Sequence, residues 1–225
     1  MSKALTHLFP PGVAVVELRE AGDVESLWPS EAACVSRAVP ERVQEFAAGR
    51  QCARRAMAEF GIRDFPLLMG DDRRPLWPDT LAGSITHTPG FCAAAVAERA
   101  RLGSVGLDSE VAGGVDEKLW PAICLPQELA WLDELPREER AAAATLLFSA
   151  KEALYKCQYP LFAQRLDFHD IQIAPLDWGR PRGAFTVRPT RPIAIIKAAR
   201  VPLVVQYVFH DGFVSTGVAM PVAAP

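Results

Sequence analysis

Apolar residues recur along this chain with two different periods, and the changes of period mark its elements. Residues 13–18 (VAVVEL) form a short, β-branched run that predicts a strand. From Pro40 the pattern turns helical: Phe46, Ala53, Met57 and Phe60 make one stripe, and Gly61 supplies a stop. Arg50 and Arg54, four apart, lie on the flank of that stripe. A loop follows, with Gly70, Asp71, Asp72, Pro75 and Pro78 as turn formers. Residues 83–90 (GSITHTPG) are expected to be a hydroxyl-rich loop, and 91–97 (FCAAAVA) and 104–111 (SVGLDSEV) to be strands joined by a polar turn. In the second strand, two-residue alternation sends Asp108 and Glu110 to one face.

The longest helical pattern lies between Pro136 and Pro160, with Ala143, Leu146, Leu147, Ala150, Ala153, Leu154 and Cys157 on its apolar face. Ser149, Glu152 and Lys156 fall together on a polar stripe, and Lys151 points away from it. Short strands are expected through the remainder: the segment before Asp177, then 184–188, 193–198, 202–209 and 213–218, with PVAAP as a loose tail. Strands and helices occur in both halves, so the expectation is an α+β fold of two subdomains, 1–104 and 105–225.

Composition narrows the function classes. Half of the 225 residues are apolar and 23% are charged, which supports a large core and argues against wholesale disorder. A net charge of −3 argues against a general nucleic-acid binder while leaving room for a local basic pocket. The five cysteines are an odd number, widely spaced and without a C-x-x-C pair, so buried free thiols in a reducing cytoplasm are expected. The first twenty residues lack a signal-peptide core, and no stretch is apolar for long enough to span a membrane. A soluble cytoplasmic monomer is the resulting expectation.

Candidate chemistry starts with the acidic pair. Residues i and i+2 of a strand lie roughly 6.5–7 Å apart, so Asp108 and Glu110 can both reach one cation. Their mutual repulsion is relieved by a magnesium ion, which takes oxygen ligands. The alternative is a pair of solvated acids on an open sheet face. Glu152 and Lys156 are an i, i+4 pair, either a surface ion pair or a third carboxylate beside a phosphate-binding lysine. Arg50, Arg54, Arg73, Arg74, Ser84, Thr86 and His87 are candidate anion donors. Walker-A, G-x-G-x-x-G, H-E-x-x-H and G-x-S-x-G patterns are all absent.

Taken together, four blocks resemble the 4′-phosphopantetheinyl transferases of the Sfp/EntD type. They are GRQCARRAM (49–57), RRPLWP with GSITH (73–87), GLDSE (106–110) and FSAKEALYK (148–156), and they lie within residues 40 to 170. The spaced pair G-x-D-x-E and [FW]-S-x-K-E-x-x-x-K is intact, whereas Met57 replaces a usual leucine and Ser109 a usual aliphatic residue. The resemblance implies a pseudo-dimer of two similar halves with coenzyme A in the cleft between them. It implies a holo-[carrier protein] synthase, moving the phosphopantetheine arm to a serine of an acyl, peptidyl or polyketide carrier protein and releasing adenosine 3′,5′-bisphosphate. Asp108, Glu110 and Glu152 would ligate Mg²⁺, with Mn²⁺ as an alternative. Lys156 would contact the pyrophosphate, Thr86 and His87 with Arg50 the 3′-phosphate, and residues Arg73 to Pro75 the adenine; Arg54 is a further candidate. Glu152 or a metal-activated water would take the serine proton. A magnesium-dependent nucleotide phosphohydrolase and a coenzyme A-binding protein without turnover are the rival readings of the same residues.

Overall fold

Two antiparallel sheets organise the chain in a computed structural model that describes residues 4–176, 178–199 and 202–222. The first sheet has the order β1–β3–β2, from β1 (Val13–Leu18), β2 (Leu81–Thr88) and β3 (Phe91–Glu98). The second has the order β4–β8–β7–β6–β5, from β4 (Leu102–Val111), β5 (Ile171–Pro175), β6 (Arg182–Pro189), β7 (Val204–His210) and β8 (Phe213–Pro221). The sheet changes at the short turn between β3 and β4, within the polar segment of the sequence. The fold is α+β.

The six helices are α1 (Pro29–Cys34), α2 (Pro40–Ala58), α3 (Trp120–Ile123), α4 (Pro126–Glu134), α5 (Arg137–Phe162) and α6 (Ala194–Ala198) among the described residues. Proline opens α1, α2 and α4, where its missing N–H would have no helical partner. Acidic Glu138 and Glu139 occupy the first turn of α5, the favourable end of the helix dipole. Helix α5 passes through Pro160 and ends at Ala163 in a left-handed conformation (φ 47°), so it extends beyond the stop that the sequence suggests. Two segments depart from expectation. Residues 83–88 belong to strand β2 rather than to a loop, because they pair along β3 from Leu81↔Glu98 to Thr88↔Phe91. Residues 194–198 are helical rather than extended, since Ile195 turns into the core as part of one short helix. Helices α1 and α4 carry too few turns to show a period in the sequence. Three residues of the expected loose tail, 223–225, lie outside the described residues, as does Asp177.

Three apolar clusters hold the layers together. One packs α5 against the five-stranded sheet through Leu146, Leu147, Leu154, Phe185 and Tyr207. A second packs α2 on β1 and β3 through Ala48, Cys52, Ala56 and Val96. The third lies between the two sheets, joining Leu5, Leu8, Val15 and Ala95 to Val105, Leu107 and Val208. Four of the five cysteines are buried and all five are free.

Helix α5 is drawn unusually close to β4. A Cβ at Gly106 would overlap the Ala153 carbonyl oxygen and stand 2.8 Å from the Cys157 nitrogen, both backbone atoms that cannot move aside. Ser149 is fully buried and exchanges hydrogen bonds with Thr216 of β8 (Oγ to Oγ1 2.9 Å; Thr216 Oγ1 to Ser149 O 2.9 Å). It therefore anchors the helix to the sheet and does not share a polar stripe with Glu152. Below α5, the buried Lys151 ammonium donates to Glu128 Oε2 (2.6 Å), Ile123 O (2.8 Å) and Phe168 O (2.9 Å). That fully paired ion joins α3, α4 and the segment before β5 to the helix.

Gly106→Ala is expected to destabilise the fold by about 1–3 kcal/mol through overpacking against backbone, measured as a lower urea midpoint with an unchanged m-value. A midpoint equal to that of the unsubstituted chain would show that the helix can move off the strand freely.

Candidate active site

An open cavity of about 710 Å³ lies where α2, β2, β4 and α5 converge. It falls in the size range of small-molecule sites. Its walls differ sharply in charge. Strand β4 brings Asp108 and Glu110, and α5 brings Glu152 and Lys156, one turn apart on the helix. Helix α2 brings Arg42, Glu45, Phe46 and Arg50, and the turn before β2 brings Asp72, Arg73, Arg74 and Pro75. His87 faces the α2 wall.

The acidic wall is short of positive charge. Asp108 is 3% exposed; its Oδ1 accepts from Lys156 Nζ (2.6 Å) and from Thr86 Oγ1 (3.3 Å). Its Oδ2 is buried without a partner. Burial, reinforced by the Asp108 charge, pushes the Glu110 carboxyl up to about 7, and Thr88 Oγ1 donates to its Oε2 (3.4 Å). Burial also raises Glu152, against the opposing pull of Lys156. One lysine thus serves three carboxylates, two of which resist ionisation. Among the described residues no three His, Cys, Asp or Glu side chains converge closely enough to hold a metal ion. The donor set nevertheless suits a hard cation: all three acids are carboxylates, and one oxygen is buried with its lone pairs unused.

The opposite wall is cationic and partly tied down. Arg42 Nη1 stands 2.6 Å from His87 Nε2 and 3.0 Å from Glu45 Oε2. Burial lowers the His87 pKa, Glu45 opposes that shift and Arg42 adds to it. Arg50 is 5% exposed, stacks on the Phe46 ring (3.7 Å to the centroid) and donates to the Leu67 and Leu68 carbonyls (2.7 and 3.4 Å). Desolvation brings its pKa down to about 10, so it remains a cation. Arg73, at φ 66°, and Arg74 sit in a tight turn closed by Gly70 N to Arg74 O (2.9 Å).

Two expected site residues lie elsewhere. Arg54 does not line the cavity: its Nη1 donates to Ser26 O (2.8 Å) and its Nη2 is 3.5 Å from Glu31, a fully buried carboxylate that accepts from Trp28 N and Leu67 N. Thr86 is 1% exposed and faces β4, because alternation along β2 sends it to the face opposite His87. Arg50, Arg73, Arg74, Pro75, His87, Asp108, Glu110, Glu152 and Lys156 all line the cavity. Sequence reasoning missed Arg42 and Glu45, an i, i+3 pair eight and five residues before Arg50; five residues turn an α-helix by about 140°, so a stripe drawn through Arg50 does not gather Glu45. It also missed Tyr155 and Tyr159, stacked at 5.3 Å on the α5 wall, and Arg165, for which the sequence offers no signal.

Comparison with known proteins gives two family matches. Residues 30–97 match the 4′-phosphopantetheinyl transferase N-terminal domain and residues 104–203 match the 4′-phosphopantetheinyl transferase superfamily. The chain is 40% identical over 204 residues to 4′-phosphopantetheinyl transferase Svp of Streptomyces mobaraensis, covering 90% of this chain and 81% of that one. It is 40% identical over 147 residues to 4′-phosphopantetheinyl transferase PptT of Mycobacterium tuberculosis, covering 64% and 63% respectively. Enterobactin synthase component D of Salmonella typhimurium is 41% identical over 118 residues, 52% of this chain and 48% of that one.

Asp108 and Arg54 should separate experimentally. Asp108→Ala is expected to stay within about 1 kcal/mol of the unsubstituted chain, since Lys156 is partly exposed and can turn to water. Arg54→Ala should cost about 3 kcal/mol, because it strips the counter-charge from the buried Glu31. Urea titration compares them; the reverse order would make Asp108 the structural residue and Arg54 the dispensable one.

Proposed function

We infer the reaction from one premise: this chain belongs to the 4′-phosphopantetheinyl transferase superfamily. It is a transferase that moves the phosphopantetheine arm of coenzyme A onto carrier proteins. Among the described residues no helix is long and apolar enough to cross a membrane.

The observation that carries the site assignment is the cavity's division into an acidic wall and a cationic wall. Coenzyme A needs both: a pyrophosphate at which the reaction occurs and a separate 3′-phosphate that fixes the nucleoside end. Asp108, Glu110 and Glu152 would hold Mg²⁺, or Mn²⁺ in its place. Bound there, the ion would neutralise charge on the pyrophosphate and assist departure of adenosine 3′,5′-bisphosphate. Lys156, now on Asp108 Oδ1 at 2.6 Å, would turn its ammonium to a pyrophosphate oxygen. Its charge would stabilise the developing negative charge there. Glu152, one turn back on α5, would accept the proton of the carrier serine as its oxygen attacks the β-phosphorus.

His87 and Arg42 would donate to the 3′-phosphate, with the Arg50 charge behind them. An arriving phosphate would take over the Arg42 guanidinium from Glu45, since a doubly charged oxyanion is the stronger acceptor. Arg73, Arg74 and Pro75 would line the adenine end. The change of sheet between β3 and β4 supports a functional division near residue 104. The first half would hold the nucleoside end and the second would carry the phosphoryl chemistry.

Incubating an apo carrier protein with coenzyme A and Mg²⁺ tests the reading. Mass spectrometry should find the carrier heavier by one phosphopantetheine arm, with loss of the gain when magnesium is chelated. Hydrolysis of the nucleotide without carrier, or binding without turnover, would replace the reading by a phosphohydrolase or a coenzyme-binding protein. Arg42→Gln should raise KM about tenfold for coenzyme A, as befits one lost contact to a charged group worth about 1.5–3 kcal/mol. KM for the 3′-dephospho analogue should be unchanged; equal losses on both substrates would remove Arg42 from the phosphate site.

A further inference from the structure

Strand β2 has two faces with different work. Its odd-numbered residues face α2: Ile85 lies 3.0 Å from where a Cβ on Gly49 would be, and His87 meets Arg42. Its even-numbered residues Ser84, Thr86 and Thr88 are buried hydroxyls that face β4. The two strands belong to different sheets, so the hydroxyls supply polar bonds where a backbone ladder would otherwise run. Ser84 Oγ accepts from Leu107 N (3.0 Å), and Thr88 Oγ1 donates to Glu110 Oε2 (3.4 Å).

Thr86 is the middle rung and the most committed. Its Oγ1 accepts the Ser109 N–H (2.9 Å) and donates its single proton to Asp108 Oδ1 (3.3 Å). That oxygen also receives Lys156 Nζ (2.6 Å). With Oδ1 held from two sides the carboxylate cannot swing freely, and Oδ2 is left buried and unpartnered beside the cavity. The Lys156 ammonium sits at the end of a flexible four-carbon stem and can leave. Thr86 is β-branched, fixed on a strand and bound to backbone, so it cannot.

We propose that Thr86 is a positioning residue for the transfer: it fixes Asp108 by Oδ1 so that Oδ2 is presented to the cation, and it does not contact the 3′-phosphate. The role rests on the reading of Asp108 as a cation ligand. A partner that orients a ligating carboxylate usually matters about 10–100-fold for metal affinity or rate. Since His87 is the next residue on the same strand, the anion-facing wall and the aim of Asp108 share one rigid element.

Thr86→Val removes the hydroxyl and keeps the shape; Thr86→Ser keeps the hydroxyl. Both are compared in the full chain after thermal melts have verified folding. Should Thr86→Val fail to melt cooperatively, Thr86→Ala takes its place, because a water can then meet the Ser109 N–H. Two quantities are read: retention of Mn²⁺ by electron paramagnetic resonance in the presence of coenzyme A without carrier, and steady-state transfer. Thr86→Val should retain Mn²⁺ at least about tenfold more weakly and lose about tenfold or more in kcat. Its KM for coenzyme A should stay within about twofold, and Thr86→Ser should restore both losses. A rise in KM for coenzyme A that vanishes with the 3′-dephospho analogue would make Thr86 a phosphate ligand and overturn the role. Unchanged Mn²⁺ retention and kcat would overturn it too, while leaving the transferase reading standing. An unsubstituted chain without transfer would overturn both.

Discussion

The distance between α5 and β4 governs where the acidic wall of the cavity stands. Gly106 permits it, since any side chain there would run into the helix backbone at Ala153 and Cys157. Two residues along the strand comes Asp108, and one residue before Ala153 on the helix comes Glu152. Closeness of the two backbones therefore becomes closeness of two carboxylates, with Lys156 a turn away to offset them. Ser149 and Thr216 hold the same helix at its middle, and the Lys151–Glu128 pair holds its far side. The acidic face of the cavity is thus positioned by contacts that lie outside it.

Two kinds of buried charge coexist in this fold, and their satisfaction separates them. Glu128 and Glu31 each collect backbone N–H donors and a cation, so their charges are spent on joining elements. Asp108, Glu110 and Glu152 share one lysine and two hydroxyls, with one carboxylate oxygen unpartnered and two carboxyls pushed toward neutrality. Structural acids are complete as they stand. The cavity acids have bonding capacity left over, which is the state expected of groups awaiting a ligand.

The acidic wall was legible in the sequence because its spacing is local: two-residue alternation groups Asp108 with Glu110, and helical spacing groups Glu152 with Lys156. Arg50 and Arg54 of α2 are legible only in part. Arg50 and Arg54 look equivalent on a helix wheel, but Arg54 is claimed by Glu31 of α1, a helix too short to announce itself. The position of Thr86 is hidden for a related reason. The hydroxyl-rich stretch 83–88 mixes small, polar and apolar residues and resembles a loop, whereas its pairing with β3 makes it a strand and sends alternate side chains to opposite walls. Arg165 comes to the cavity through the path of the chain after α5, which no local pattern encodes.

On the reading proposed above, one cavity holds a cation on its β4–α5 wall and the nucleoside phosphate on its α2–β2 wall. Anomalous diffraction from crystals soaked with Mn²⁺ and coenzyme A tests it most directly. The expected result is a manganese peak bonded to Asp108 Oδ2 and to Glu110 and Glu152, with the 3′-phosphate against His87 and Arg42. A manganese peak away from Asp108, or a coenzyme bound with its 3′-phosphate off the α2 wall, would contradict it.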